Sequence, residues 1–538
     1  MKKVKVWLFQ GLNWFTRKHI LIIFLAALVS FFIYKRVVWD SGISPLIQSD
    51  SQIKLYQTIQ YKENGLQKHA CYSKQIEIDP EFRFYPFRYP WVYFIQKENE
   101  RKECVFQYPT FFAQFFSLLP IPYQFFNEVI LFLYFILTAG LVLFLRFLFD
   151  VHRTEILYLA SLLFLVGYGI SSAIEFSESI PSHIFLLCFF YGVLALENQK
   201  KTFGWFAFIS GISGGISIFL RSESVIYIGI LGILIFIFNL RNIFSLIRRY
   251  SLLLLGFFFA VILLGGYNLY EFGEILGVRS KVSLNDFGRL QLSDRLYFFK
   301  EFLIGNTYRT GFISYCFPLI ILISISFIRF KLSYSQKFVG WVGILSLLFV
   351  VLLSPYSQGG LYLGLRYTEF SYLLFSIFVI SLYSKEENLD RKQWILLLIV
   401  FQIVLGFYHV KRNFKTIDFV KKYHEILQTE WVKYSDAPVI HLSTFDLLLI
   451  SDSFLKKPHL IANKQSEFSI LETRLHNLGI PKFQVFVYDF KPPKDDNISD
   501  EFYDEWVNSK YEIQSKYYKI LSDSNTAGYR YMVWEKKQ

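Results

Sequence analysis

Cysteine is scarce, with four in 538 residues, and methionine occurs only twice. That count excludes an iron–sulfur cluster protein and a disulfide-dense scaffold. Charge is also thin at 18% DEKR, where a water-soluble chain usually carries about 25%. There is no Gly-rich low-complexity tail, no zinc-finger spacing and no basic-aromatic stripe. The net charge of +13 therefore does not point to a nucleic-acid partner. Nucleophile elbow, dinucleotide fingerprint and phosphate loop are all missing from the C-terminal tail.

What the chain has in excess is apolar surface: 53% hydrophobic residues, including 61 Phe, 36 Tyr and 10 Trp. No single core absorbs that load and still leaves a soluble exterior, so a second apolar solvent is implied. The expected class is an all-α polytopic membrane protein. Its first apolar run, Ile20 to Tyr34, follows Lys2, Lys3, Lys5, Arg17 and Lys18 and precedes Lys35, Arg36 and Trp39. No small-residue cleavage site follows, so an uncleaved first span is expected. Further runs lie at about 125–149, 156–174, 182–196, 203–220, 224–240, 251–270, 312–328, 338–353, 367–383 and 393–410. About eleven transmembrane helices result.

Loop charge gives these spans an orientation. With a cytoplasmic N-terminus, the inner segments hold Arg146 and Arg153, Lys200 and Lys201, Arg248 and Arg249, Lys331 and Lys337, and Arg391 and Lys392. The short outer turns near 175–181, 221–223 and 354–366 hold only Arg221 and Arg366, as the positive-inside rule requires. A multi-pass cell-membrane location follows, with an outer loop at 35–124, a second at 271–311, and an extracytoplasmic tail. The expected division is residues 1–410 as the membrane domain and 411–538 as a small C-terminal α/β domain. In that tail Val439–Leu442, Phe483–Val487 and Tyr529–Val533 read as strands. Helices are expected around 415–430, 445–456, 466–478 and 498–508. Neither His69, His409 nor the tail histidines show partner spacing. Cys71 and Cys104 share the first outer loop, where an oxidising compartment permits a disulfide.

Polar residues gather at the outer helix ends, where lipid penalises any that do not line a cavity or pair. Asp50, in Gln48-Ser49-Asp50-Ser51-Gln52, reads either as the cap of an amphipathic helix lying on the membrane part or as a general base. Asp40 is the alternative acid. Glu178 precedes Pro181 and reads as a partner of a helix N-terminus or as a positioner of an acceptor or metal. Glu175 shares that site if the segment is helical. Arg221 and Glu223 read as a turn pair or as part of a binding site. Arg366, beside Tyr367, suits a phosphate or simple snorkelling to headgroups. His183 lies one turn inside a span, without a second histidine that would signal a metal centre. Gly204, Gly211, Gly214 and Gly215 read as helix packing. The aromatic stretch 82–94 reads as resting on the interface or stacking on a sugar.

These residues resemble the polytopic GT-C glycosyltransferases that use polyprenyl-phosphate sugars, near the aminoarabinose transferases and protein mannosyltransferases and a spirochaete subgroup of such enzymes. The likeness rests on Asp50 opening the first outer loop, Tyr108-Pro109-Thr110-Phe111, Ser177-Glu178-Ser179-Ile180-Pro181, the Gly211–Gly215 run ending in Arg221-Ser222-Glu223, and Leu363-Gly364-Leu365-Arg366-Tyr367. Ser222 stands where relatives often have proline, and Asp50 lacks an adjacent second acid. The resemblance implies inverting transfer to an acceptor hydroxyl in cell-envelope glycan or glycolipid modification. Asp50 would act as base, Glu178 would hold the acceptor, and Arg366 with Arg221 would stabilise the departing phosphate. The implied partners are a polyprenyl-phosphate sugar, a lipid, glycan or protein acceptor, and membrane lipids. No cofactor is required by any motif, though rim carboxylates admit a divalent metal. The competing readings are a lipid-linked oligosaccharide polymerase or ligase and a transporter. A transporter would carry polar groups or broken helices near mid-membrane, whereas here they sit at one rim.

Overall fold

The computed structural model describes residues 49–66, 77–87, 92–96, 102–169, 172, 175–198, 204–240, 243–289, 291–305, 310–353, 365, 367–432, 436–442, 450, 453–488, 511–526 and 529–538. The first apolar run, Asp40, Cys71, Arg366 and the helix expected at 498–508 lie outside these residues. So therefore does the Cys71–Cys104 pairing. The chain forms two compact units. One comprises Met1–Asp40, Pro109–Phe112 and Gln124–Lys415, the other Ser41–Tyr108, Ala113–Tyr123 and Thr416–Gln538.

The first unit is helical, because in lipid a backbone can satisfy its own N–H and C=O groups within a helix. Helices occupy each of the ten described apolar runs. Six helices are long and apolar enough to cross a membrane: Tyr123–Phe149, Ser179–Glu197, Phe244–Phe272, Phe312–Arg329, Tyr334–Leu353 and Leu389–Arg412. Thr154–Gly167, Gly204–Leu220 and Ser224–Phe238 are apolar but shorter. The protein is thus a multi-pass membrane protein. Outward-facing Phe244, Ile262 and Leu263 are exposed, which accounts for the apolar excess as surface offered to acyl chains. The last long helix runs unbroken over Leu389–Val432. The separate helix expected at 415–430 merges with it because no Gly or Pro separates 407 from 432. The stretch 271–311 is also ordered into helices at Val278–Arg289 and Leu292–Leu303.

Close packing in this unit depends on missing side chains. A Cβ at Gly211 would collide with the Leu253 carbonyl oxygen, and one at Gly256 with the Phe208 carbonyl oxygen. The Gly204–Leu220 and Ile243–Phe272 helices therefore meet backbone to backbone, a geometry that only small residues permit. Gly211→Val should force them apart, at a cost of about 1–3 kcal/mol. Melting of the detergent-solubilised protein checks this. Gly229→Ala, where nothing lies within 4 Å of the added carbon, is the neutral control.

The second unit holds a five-stranded sheet ordered β4-β3-β5-β7-β6. Its strands are β3 (Val439–His441), β4 (His459–Ile461), β5 (Lys482–Tyr488), β6 (Tyr518–Thr526) and β7 (Tyr529–Lys536). β3 runs parallel to both β4 and β5, whereas β5, β7 and β6 are antiparallel. A separate hairpin joins β1 (Val92–Gln96) to β2 (Lys102–Phe106). Alternation along the strands gives two cores. Ile440, Leu460, Val485 and Trp534 pack with Phe468, Leu471 and Leu475 of the Gln465–Asn477 helix. Val439, Ile461, Phe486 and Val533 pack on the other face.

That second core draws on chain far from the tail. Ile53 and Tyr56 of the Ser49–Asn64 helix, with Tyr85, Phe87, Phe106 and Tyr108, belong to it. The helix expected to lie on the membrane part thus buries its apolar face against the sheet. Phe84, Tyr85 and Phe87 are fully buried, so this part of the aromatic stretch is core and not an interface or sugar platform. The Phe84 carbonyl accepts from the Ile461 N–H at 2.9 Å. Buried Asp79 accepts from the N–H groups of Arg83 and Phe84 at 2.9 and 2.6 Å and faces Arg474 at 3.4 Å. The sequence grouped 35–124 with the membrane helices, but these outer-loop residues fold with the tail.

Candidate functional site

In the helical unit several helix ends meet at one level. The Gly204–Leu220 helix ends just before Arg221. Glu178 precedes the Ser179–Glu197 helix, Glu223 precedes Ser224–Phe238, and Glu369 opens Glu369–Lys385. A carboxylate at each start suits the partial positive charge of exposed N–H groups there. Glu175, Glu178, Arg221 and Glu369 are all buried, and so is His183. Such burial is tolerated only where charges are paired or hydrogen-bonded.

Arg221 is the hub. Its Nε donates to Glu223 Oε1 at 2.5 Å, its Nη2 pairs with the same carboxylate, and its Nη1 donates to Ser179 Oγ. The guanidinium lies over the Tyr367 ring, 5.6 Å from the centroid, adding an aromatic face to its ion pair. Ser179 Oγ continues to Ser177 Oγ at 2.9 Å. Tyr367 has a left-handed φ of 64°. Its carbonyl accepts from the Tyr227 hydroxyl at 3.5 Å, and that hydroxyl also meets Ser371 Oγ at 2.9 Å. Ser182 Oγ meets Ser224 Oγ at 3.2 Å and donates to the Ser217 carbonyl at 3.3 Å. The result is a set of polar contacts that draws on four helices.

The structure therefore unites Arg221, Glu223, Tyr367 and His183 in one constellation with Ser177 and Ser179, the two neighbours of Glu178 in the chain. His183 packs on Phe370 at 5.4 Å, which also contacts Tyr227 at 5.1 Å, and it interacts electrostatically with Arg221. Glu175 differs from expectation: residues 175–178 are not helical, so the i, i+3 sharing with Glu178 does not arise. Phe176 instead fixes the segment between Phe112 at 4.9 Å and Phe126 at 5.6 Å. Among the described residues no group of three metal-ligating side chains occurs. Tyr227 and Ser371 were missed at the sequence level, because hydroxyls inside apolar helices usually bond to their own backbone.

Asp50 belongs to the other unit. The Ser49–Asn64 helix already includes it in the first turn, so it is not the N-cap. Asp50 Oδ1 accepts from the Tyr108 hydroxyl at 2.5 Å. In the same unit, two tail histidines that show no partner spacing in the sequence meet in the fold. His441 Nε2 and His459 Nδ1 are 2.8 Å apart, and His459 Nε2 meets Ser453 Oγ at 2.9 Å. Lys457 Nζ donates to Gln484 Oε1 at 2.6 Å. Eighteen residues separate the two histidines along the chain, and parallel pairing of β3 with β4 is what joins them. Burial, reinforced by the Lys457 charge, pushes His441 down to about 3. Burial drives His459 well below the ordinary histidine value as well, and lowers Lys457 to about 8.

No protein-family model matches the sequence, and no curated protein matches it. Among solved structures, the chain is similar to ArnT from Cupriavidus metallidurans bound to undecaprenyl phosphate. The identity is 9% and the TM-score 0.54, over 96% of this chain and 97% of that one. A weaker likeness, with a TM-score of 0.48 and 12% identity, joins 88% of this chain to 70% of the archaeal oligosaccharyltransferase AglB from Archaeoglobus fulgidus, in complex with an inhibitory peptide and a dolichol-phosphate. The ArnT likeness spans both chains almost end to end and shows that the two share a fold.

Proposed function

We propose that the protein is a glycosyltransferase that moves a sugar from a polyprenyl-phosphate donor to an acceptor hydroxyl with inversion. Transfer takes place at the extracytoplasmic membrane face, in cell-envelope glycan or glycolipid modification. The observation that carries this reading is the near end-to-end fold likeness to ArnT, a protein solved with undecaprenyl phosphate bound. It is supported by the buried polar constellation at Ser177–Glu178–Ser179, Arg221–Glu223 and Tyr367, which lies on motifs singled out from sequence. About eleven spans, a cytoplasmic N-terminus and an extracytoplasmic α/β tail belong to the same proposal. Loop charge supports the orientation, and the mixed sheet with its packed helix supports the tail.

In this mechanism Asp50 takes the proton of the acceptor hydroxyl as the oxygen attacks the anomeric carbon. The sugar–phosphate bond breaks, and its electron pair leaves with the polyprenyl phosphate. Glu178 holds the acceptor. Charge on the leaving phosphate is neutralised by arginine. Arg221 is already committed to Glu223 and Ser179, so that work falls first to Arg366, with Arg221 second.

The test is an assay of membranes with a panel of polyprenyl-phosphate sugars. Transfer from at least one donor is expected, and inserted, stable protein inert across the panel would count against the reading. Within it, Arg366→Ala should raise the donor KM about 10–100-fold, the worth of a charged hydrogen bond. Arg221→Lys should do less. An unchanged donor KM in Arg366→Ala would remove the phosphate role.

A further inference from the structure

Tyr108 stands immediately before Pro109 and is buried beside the Ser49–Asn64 helix. Three residues of that helix address it, spaced as successive positions on one helical face. Asp50 accepts its hydroxyl proton at 2.5 Å. Lys54, four residues on, sets its ammonium over the phenol ring, 5.0 Å from the centroid. Gln57, three further, donates from Nε2 to the Tyr108 carbonyl at 3.4 Å. Hydroxyl, ring and backbone are thus held separately, and Lys54 and Gln57 are themselves buried.

A tyrosine that needed only to fill the core would not require its hydroxyl on a carboxylate. Tyr108 also lies in the same apolar cluster as Ile53 and Tyr56, so its ring has little freedom, and neither has the direction of its O–H. A half-buried Asp50 in the first turn of a helix otherwise samples several rotamers. One charge-assisted hydrogen bond from a fixed donor selects a single one. It engages Oδ1 of that carboxylate.

We propose that Tyr108, clamped by Lys54 and Gln57, is the positioning residue that aims the Asp50 carboxylate for proton abstraction. This rests on the reading of Asp50 as the general base. Tyr108 itself exchanges no proton in the reaction. It holds the carboxylate in one orientation by donating to Oδ1.

The experiment compares wild type, Tyr108→Phe, Asp50→Asn and the double variant. The donor is the undecaprenyl-phosphate sugar that wild type turns over fastest. Tyr108→Phe keeps the ring and therefore the core, and its melting temperature should match wild type. Its kcat should fall about 10-fold with both KM values unchanged. In the Asp50→Asn background the same change should cause no further loss, because the hydroxyl acts through Asp50. An unmoved kcat in Tyr108→Phe, with Asp50→Asn inactive, overturns the positioning role and leaves the base reading intact. An equal additional loss in the double variant overturns it too. Full turnover by Asp50→Asn refutes Asp50 as the base and takes this proposal with it. Lys54→Met gives a second line: it should reproduce part of the kcat loss at unchanged KM, and wild-type kcat there refutes the clamp.

Discussion

Asp50→Asn should leave the protein folded and inserted in the membrane and lower sugar transfer about 10²–10⁴-fold, the usual contribution of a positioned general base. Asparagine is close to isosteric with aspartate, and its carbonyl oxygen can still accept from the Tyr108 hydroxyl that Asp50 Oδ1 now accepts. The apolar face of the helix, with Ile53 and Tyr56 in the sheet core, is untouched. What disappears is basicity: a neutral amide cannot take the acceptor proton. The measurement is single-turnover transfer from a polyprenyl-phosphate sugar, with membrane fractionation and melting as controls for folding. Full activity in this variant would remove Asp50 from the mechanism, and the fold likeness would then have to be explained by a different base.

The second large effect is the acid sensitivity of the sheet unit. His441 and His459 are fully buried and share a hydrogen bond. Lys457 of the adjoining helix end, Ser453, and Gln484 and Phe486 of β5 surround the pair, and Asp436 acts on Lys457. Both histidines titrate below their unfolded value, His441 at about 3. The unfolded chain therefore binds more protons once the pH falls below about 6.5. The stability they contribute is complete above that pH and is lost progressively as the pH drops towards 3. Each histidine costs up to about 1.4 kcal/mol per pH unit across this window, so two units change the opening equilibrium up to about 100-fold for one histidine and about 10⁴-fold for the pair. Lys457 behaves differently. Its folded value of about 8 lies below the free-lysine value, so its penalty grows only between roughly 10.5 and 8 and is constant below.

Hydrogen exchange of the β3 and β4 amides in the intact protein should accordingly speed up between pH 6.5 and 4.5, beyond the intrinsic rate change. His441→Gln should flatten that dependence by about half, since one of two depressed groups is removed. A pH-independent opening in wild type would show that the pair is protonated at no cost, against its burial. The two variants address different claims: Asp50→Asn tests chemistry and leaves stability alone, whereas His441→Gln tests stability and leaves the proposed chemistry alone.

Individual elements show how much was legible beforehand. The Ser179–Glu197 and Ser224–Phe238 helices were readable because an apolar run in lipid has one way to satisfy its backbone. Their starts were readable from Glu178 and Glu223. β5 and β7 announced themselves through alternating β-branched and aromatic residues. β6 did not, because Ser522, Asp523, Ser524 and Asn525 are polar and turn-prone; it is a strand because β7 supplies its hydrogen bonds. β4 spans three residues, too few for any periodicity. Among site residues, Arg221 and Glu223 stood out as charges between apolar runs. Tyr227 and Ser371 carried no signal, since a hydroxyl in a span is commonplace, and Ser179 stood out only as part of its motif.

By itself the amino-acid sequence determined the membrane class, the helix positions and the level at which the polar residues gather. These follow from solvent transfer and backbone satisfaction, which act locally along the chain. Only the tertiary structure decided that Tyr56, Phe87 and Phe106 of the first outer loop fold with the tail, that Tyr108 rests on Asp50, and that His441 meets His459. Each of these joins residues whose separation in sequence is large or whose spacing is unremarkable. Their contact depends on strand pairing and on which face of a sheet or helix is buried, and no local pattern encodes that choice.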